Sequence, residues 1–408
     1  MAIESMPVVT IEKWLFGDMG LARQDSGRVV LIPGGFPGEQ WQLVNPQMRK
    51  GVLVDRLAKC LSVSSRTPAP CVHADMCGGC SMQEVSRALE GDLKISAFRD
   101  VLRRVGNRDQ VSINWIDFPL EHSRYRGVLQ AHGGELGFFG RSSHALCAVR
   151  DCLVAPPLLR LVLSDLKHWV CAAQFEGRIQ YVASDENLVL AAHGMCQDEG
   201  RPSLPPNVGF QLIVNGKEVA AEGPKTIKVI WNDRSFTLGP QHFFQSNPAS
   251  WSWFHAKVHQ LLQMTGEGPL WDAHAGSGFL TSAMGGREVY ASEPSQLAVE
   301  TGKRALNIPS FKVNWFLGTA EQWLARHPLS GLAGAVLDPP RTGLSKELVR
   351  AFVSDGPPVI LMFSCDVATF ARDLKGLVGY EPSGSVDLLN VNPGTSRFEI
   401  AVILNRKG

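Results

Sequence analysis

Cys71, Cys77 and Cys80 fall within ten positions, in Cys71-Val-His-Ala-Asp-Met-Cys77-Gly-Gly-Cys80. Gly78 and Gly79 let the backbone fold tightly, so Cys77 and Cys80 can turn toward one centre. Four thiolates complete either a tetrahedral zinc site or an iron–sulfur cluster, and both Cys147 and Cys152 are available as the fourth. A different chemistry is written at Ser364-Cys365-Asp366, which follows the apolar run Val359 to Phe363. A lone thiol after a strand is more often a buried small residue, but this one stands at the C-terminal strand end, where α/β sheets carry their chemistry. One helix earlier, Asp338-Pro339-Pro340-Arg341 ends another apolar strand. Its two prolines stiffen the loop and hold a carboxylate and a guanidinium in fixed directions. Asp272-Ala-His274-Ala-Gly276-Ser-Gly278 follows a third such strand and opens a helical pattern. Glycines there allow a tight turn and close approach of a ligand to the helix N-terminus. Glu293 ends the next strand, where a carboxylate can accept two hydrogen bonds from ribose hydroxyls.

These residues need scaffolds. With 408 residues the chain is too long for one ordinary core and implies two or three domains. The first sixty residues read as short strands broken by glycine, the texture of a small β-barrel. Ser64 to Pro70 is polar with two prolines and reads as a linker. Helical spacing runs from Met82 to Val105, and again from Leu158 to Phe175 inside a mainly β region, Val111 to Thr237. From Leu270 onward strands alternate with helices. Leu270-Trp271-Asp272, Val289-Tyr290-Ala291, Ala335-Val336-Leu337 and Val359 to Phe363 read as parallel strands of a doubly wound sheet.

The formal net charge is only +1, from 40 basic and 39 acidic side chains, which excludes a uniformly basic nucleic-acid coat but not a local basic face. Met1 to Met6 lacks the basic-then-apolar opening of a signal peptide, and no run of about 18 apolar residues exists to span a membrane. The expectation is a cytoplasmic monomer whose cysteines are reduced unless they hold a metal.

The Gly-x-Gly turn with a following acidic strand end is shared by NAD enzymes and class I methyltransferases. Asp338-Pro339-Pro340-Arg341 decides between them, because the set as a whole resembles the iron–sulfur RNA uracil-5-methyltransferases. That family carries Cys-x5-Cys-Gly-Gly-Cys, and here 71 residues separate Cys80 from Cys152, with Pro156-Pro157 behind. Phe243-Phe244-Gln245-Ser246-Asn247 is similar to its F-x-Q-x-N motif. Ser364-Cys365-Asp366-Val367-Ala368-Thr369-Phe370-Ala371-Arg372-Asp373 is similar to its nucleophile motif, with Asp366 for asparagine and Val367 for proline. The resemblance implies a 4Fe-4S cluster on Cys71, Cys77, Cys80 and Cys152, with S-adenosylmethionine held by Gln245, His274, Gly276, Gly278, Glu293, Thr319 and Asp338. It implies Cys365 as nucleophile and Glu399, in Thr395-Ser396-Arg397-Phe398-Glu399, as general base. Three departures stand out: His274 and Ala275 replace an aromatic residue and a cysteine, and Arg397 replaces a histidine.

The implied architecture is α/β. A Rossmann-like class I methyltransferase domain (237–408) follows an N-terminal OB-like TRAM barrel (1–62) and a central, mainly β iron–sulfur domain (63–236). The implied activity is methylation of C5 of a uridine in 23S ribosomal RNA. A transfer-RNA uridine is the alternative substrate, and an inactive RNA-binding homologue the rival class. The Gly17-x2-Gly20 and Pro37-Gly38-Glu39 turns carry the TRAM likeness. Arg99, Arg103, Arg104, Arg108, Arg124 and Arg126 are candidates for phosphate contacts, diluted by neighbours such as Asp109.

Overall fold

The computed structural model describes residues 7–63, 65–108, 110–141, 143–198 and 200–407; Met1 to Met6, Ser64 and Asp109 lie outside them. Two compact units emerge. One comprises Met1–Asp100, Phe139–Cys147 and Gly394–Ser396, the other Val101–Phe138, Ala148–Pro393 and Arg397–Gly408. The threefold division 1–62, 63–236 and 237–408 describes roles along the chain and remains a proposal.

In the first unit, alternation along Val8–Leu15 turns Val9 and Ile11 inward. The register then shifts between Ile11 and Lys13, so Trp14 rather than Lys13 points inward. Seven short strands pair in the order Gln47–Arg49, Val52–Val54, Val29–Pro33, Met19–Arg23, Val8–Leu15, Gln40–Gln42, Lys59–Ser62. Their core is Val9, Ile11, Ala22, Val30, Ile32, Leu43 and Leu53. Gly20 is required by a close crossing, since a Cβ there would stand 2.8 Å from the Gly35 carbonyl oxygen. The β-rich texture is as read from the sequence, while the OB-like barrel rests on resemblance alone. Glu39, in the Pro37-Gly38-Glu39 turn, is fully buried. It accepts from Arg66 Nε at 2.7 Å, Trp41 Nε1 at 3.0 Å and the Phe36 amide at 3.0 Å. That carboxylate holds the unit together and does not face a ligand.

The helix read from Met82 begins later, at Arg87, and runs to Arg104. Two hydrogen bonds explain the late start: the Met82 amide donates to the Gly394 carbonyl at 2.8 Å, and Ser86 Oγ accepts from the Leu89 amide at 3.2 Å.

The second unit carries a mainly antiparallel sheet in the order Glu135–Phe139, Arg126–His132, Glu176–Ala183, Leu188–Met195, Val208–Val214, Lys217–Glu222. Helix Pro157–Ala172 supplies its apolar stripe, Leu159, Val162, Leu163, Leu166, Trp169 and Val170. Further on, a nine-stranded sheet includes the path Lys312–Leu317, Glu288–Glu293, Leu270–Asp272, Gly334–Leu337, Val359–Ser364, Glu399–Arg406, Val386–Asn390, Ile113–Asp117. The first five are parallel, four of them as read from their apolar residues, and Glu399–Arg406 enters antiparallel beside Val359–Ser364. Trp271 stacks on Trp323 at 4.3 Å and 22° within this layer. No described helix is long and apolar enough to cross a membrane.

Candidate active site

The sheet's parallel strands end together, and so do most of the residues singled out from sequence. Asp272 closes its strand fully buried, accepting from Thr281 Oγ1 at 2.7 Å, and burial pushes its carboxyl up to about 6. The backbone then turns through Gly276 and Gly278 at φ of 54° and 83°, values that favour glycine. The Ala273 amide donates to the Val336 carbonyl at 3.0 Å and the Ala275 amide to the Ser292 carbonyl at 3.0 Å, so both neighbouring strands brace the turn. Glu293 faces it. Its carboxylate accepts from the Gly276 amide at 3.1 Å and from the Ser295 amide at 2.8 Å. The helical pattern expected to open at Gly278 gives one 3-10 turn, Thr281–Ala283. Ser282 Oγ donates to the Phe279 carbonyl at 2.6 Å within it.

Three polar atoms of this motif are buried without a partner among the described residues, Asp272 Oδ1, His274 Nδ1 and Ser277 Oγ. Orphaned polar atoms lining a glycine turn fit a polar ligand. Burial lowers His274 to about 4, so its imidazole is neutral and can stack or exchange hydrogen bonds. Sequence reading missed Ser277 and Asp272, although Asp272 opens the same motif. Thr319 has a structural duty as well: it caps helix Ala320–Leu324 in a capping box with Gln322. Gln245 is half-buried, its carbonyl accepting from Trp251 Nε1 at 3.0 Å. Asn247, in the same motif, donates from Nδ2 to the Val391 carbonyl at 3.0 Å.

Cys365 follows the end of Val359–Ser364, and register pairs Ser364 with Ile400. The antiparallel arrangement therefore brings Cys365 and Glu399 to the same sheet edge, beside Asp338 from the next parallel strand. Burial pushes Glu399 up to about 8, with the Asp338 charge adding and Arg341 opposing. Burial and the Asp272 charge push Asp338 up to about 7. The Cys365 thiol is pushed up to about 11 by burial, then by Glu399 and Asp338, with Arg341 again opposing. Because Cys365 is exposed, water relieves part of the burial cost, and the two carboxylates are the firmer cause. The positive charge of Arg341 is therefore outweighed. At the adjacent helix N-terminus, Asp366 is the cap and accepts from the Thr369 amide at 2.8 Å. Arg397 is exposed, and Phe398 beside it is buried at 6.5 Å from Trp115.

The cysteine loop is built as its glycines imply. A Cβ at Gly78 would stand 2.7 Å from the Gly140 carbonyl oxygen, and the Gly78 amide donates to Phe139 at 2.9 Å. Cys77 accepts from the Gly79 amide at 3.4 Å, and its thiol hydrogen-bonds Cys147. Burial pushes Cys77 up to about 11, the Gly79 bond opposing, with Cys147, Cys80 and Cys71 adding charge repulsion. Four thiols, Cys71, Cys77, Cys80 and Cys147, thus share one electrostatic neighbourhood, and each is a thiol outside any disulfide. An all-thiol set on a glycine cradle fits a thiophilic metal centre in its chemistry. Among the described residues no three His, Cys, Asp or Glu side chains are grouped closely enough to hold a metal ion as they stand. Cys152 belongs to the other unit, packed against the Leu159–Leu166 core, its amide donating to Asp151 at 2.8 Å.

Of the arginines, Arg99, Arg103 and Arg104 are exposed, whereas Arg108, Arg124 and Arg126 are partly buried. Arg126 lies over the exposed Phe243 ring at 5.3 Å, and burial lowers its pKa.

The sheet order, with a final antiparallel strand inserted beside the fifth parallel one, is a class I methyltransferase-like α/β fold. It is matched with a TM-score of 0.76 by the Pyrococcus abyssi tRNA (uracil-54, C5)-methyltransferase, solved with S-adenosyl-L-homocysteine. The alignment covers 97% of this chain and 100% of that one at 21% identity, so the likeness is one of fold. No family model matches the chain. It is 27% identical over 432 residues to a Caldanaerobacter subterraneus subsp. tengcongensis protein described as an uncharacterized RNA methyltransferase, covering 95% of each. A Halalkalibacterium halodurans protein with the same description is 26% identical over 445 residues, covering 98% of this chain and 96% of that one.

Proposed function

We propose that this protein is an S-adenosylmethionine-dependent RNA methyltransferase that converts a uridine to 5-methyluridine. The observation that carries the proposal is the meeting of Cys365, Glu399 and Asp338 at the edge of a class I sheet. Methylation of an amine or hydroxyl needs no thiol there, whereas C5 of uracil does. Cys365 sulfur forms a bond to C6, and the C5=C6 electron pair makes C5 an enolate-like nucleophile. S-adenosylmethionine supplies the electrophilic methyl that C5 takes, and Gln245, His274, Gly276, Gly278, Glu293, Thr319 and Asp338 would hold it. The Glu399 carboxylate then removes the C5 proton, C5=C6 re-forms, and the C6–S bond breaks to return the thiolate. The Asp338 charge adds to the rise at Glu399, and Arg341 opposes it. The uridine must leave its stack to reach this edge.

Cys71, Cys77, Cys80 and Cys152 would hold a 4Fe-4S cluster, whose contribution would be a brace, since the methyl transfer moves no electron. Loss of broad visible absorbance in Cys152→Ser but not in Cys147→Ser supports that ligand set; the reverse assigns Cys147. The N-terminal strands would serve as a TRAM-like RNA contact, with Arg99, Arg103 and Arg104 on phosphates.

The first substrate reading is 23S ribosomal RNA. Transfer RNA is the second, favoured by the fold match to an enzyme described as acting on uracil-54 of tRNA. Incubation with a tritiated-methyl donor and separated RNA pools decides: label only in transfer RNA replaces the first reading with the second. A denaturation-stable adduct with 5-fluorouridine RNA, lost in Cys365→Ala, supports the chemistry. Absence of adduct in the native protein favours a non-catalytic RNA-binding homologue.

A further inference from the structure

Arg372 and Asp373 are neighbours on helix Val367–Gly376, which begins two residues after Cys365. Adjacent residues on a helix do not face one another, yet Arg372 Nε and Nη2 donate to Asp373 Oδ1 at 2.8 and 2.6 Å. What draws them together is a loop. Arg372 Nη2 also donates to the Thr342 carbonyl at 2.8 Å and to the Leu344 carbonyl at 3.3 Å. Asp373 is buried, and its other oxygen accepts from the Leu344 amide at 2.7 Å. Gly343 stands between these contacts at φ of 73°, and a Cβ there would overlap Asp373 Oδ2 and Arg372 Nη2. The loop is thus gripped at two carbonyls and an amide, closely enough that only glycine fits.

The same loop carries Arg341. The Gly343 amide donates to the Pro340 carbonyl at 2.8 Å, closing a four-residue turn with Arg341 and Thr342 at its corners. Arg341 therefore sits between two stiff points, Pro339-Pro340 before it and the Arg372–Asp373 clamp after it. Thiol and guanidinium are both tied to one helix. Cys365 adjoins its N-cap, Asp366, and the second turn of that helix grips the loop that bears Arg341.

We propose that Arg372 and Asp373 are positioning residues, which hold the Arg341 charge within reach of Cys365 without touching uridine or methyl donor. The charged groups facing the thiol are Glu399 and Asp338, which push it up, and Arg341, which pulls it down. A guanidinium that strayed would leave two carboxylates unopposed and less thiolate to attack C6. The bearing of the clamp on catalysis rests on the reading of Cys365 as the nucleophile.

Arg372→Lys keeps the charge but loses the planar fork that reaches both carbonyls and the carboxylate. Alkylation of Cys365 by iodoacetamide at pH 8, followed by mass spectrometry of the full-length protein's Cys365 peptide, reads the thiolate without RNA or methyl donor. Arg341→Ala should slow alkylation about threefold to tenfold, and Arg372→Lys about twofold to fivefold. In Arg341→Ala/Arg372→Lys the second change should add nothing beyond about 1.5-fold, because the clamp acts through Arg341. Alkylation of Arg372→Lys at the native rate or faster overturns the proposal, as does a double variant slowed by the product of the two single effects. Adduct formation with 5-fluorouridine RNA is measured separately. If the native protein forms no adduct while alkylation follows the expected pattern, the functional reading falls and the clamp on Arg341 stands.

Discussion

Buried carboxylates occur in both units, and they are treated in opposite ways. Glu39 and Glu90, in the first, are fully buried and surrounded by donors: Arg66, Trp41 and an amide for one, Lys94, Arg87 and an amide for the other. Asp272, Asp338 and Glu399, in the second, are pushed up to about 6, 7 and 8 by burial first and then by the charge of neighbouring carboxylates. Only Arg341 opposes the rise at Glu399. A satisfied buried acid holds structure. An under-satisfied one is poised to exchange a proton or meet a cationic ligand, which is how perturbed groups come to mark reactive sites.

The strongest way to break this comparison is at the thiol the acids surround. Cys365→Ala is expected to lower methylation by roughly four orders of magnitude or more, read as incorporated methyl label, with folding unchanged. Glu399→Gln comes next. Product release should slow by about 10²- to 10⁴-fold while adduct formation persists. In the native protein, release should rise with pH through a midpoint near 8 and level off above it, because only the ionised carboxylate accepts the proton.

Stability should separate the two sets by sign. Glu39→Gln takes one of two carboxylate partners from Arg66, which keeps Glu84, and denaturant titration near neutral pH should show a loss of about 1.5–3 kcal/mol. Glu399→Gln should do the reverse. A carboxyl whose folded pKa is raised contributes stability below its unfolded value, and that contribution is lost as pH rises through about 8. The variant should therefore match the native protein near pH 4 and exceed it by on the order of a few kcal/mol near pH 9. Equal behaviour at both pH values would remove the distinction drawn between the units. The smallest effect belongs to Thr319→Ala, which loses a helix cap and about 1 kcal/mol by thermal melting.

Much of this was legible in the sequence because it is local. The strands ending at Asp272, Leu337 and Ser364 are short apolar runs, and the glycine turn at 276–278 announces its own backbone. Cys365 sits in a contiguous motif. What was hidden depends on distant pairing. The strand Lys312–Leu317 has no apolar run to reveal it, and its exposed edge position explains why. The helical pattern after Gly278 collapsed to one 3-10 turn, where Ser282 Oγ donates to the Phe279 carbonyl and its own amide to Gly278. Lys94 reads as a surface residue between Leu93 and Ile95, yet a carboxylate one turn earlier draws it inward. The grip of Glu90 on Gly394 joins residues 304 positions apart, beyond any local pattern. Cys147 was weighed against Cys152, and spacing alone could not reveal that it hydrogen-bonds Cys77.

The Trp271–Trp323 stack gives the molecule an optical use. Two indoles 4.3 Å apart and 22° from parallel are close enough for their transitions to mix, so they should absorb circularly polarised light as one chromophore. Trp271 immediately precedes Asp272 and the glycine turn, and Trp323 lies in the helix that Thr319 caps. The pair is thus tied to both sides of the proposed methyl-donor site. Near-ultraviolet dichroism could follow occupancy there without a label, an added dye or turnover.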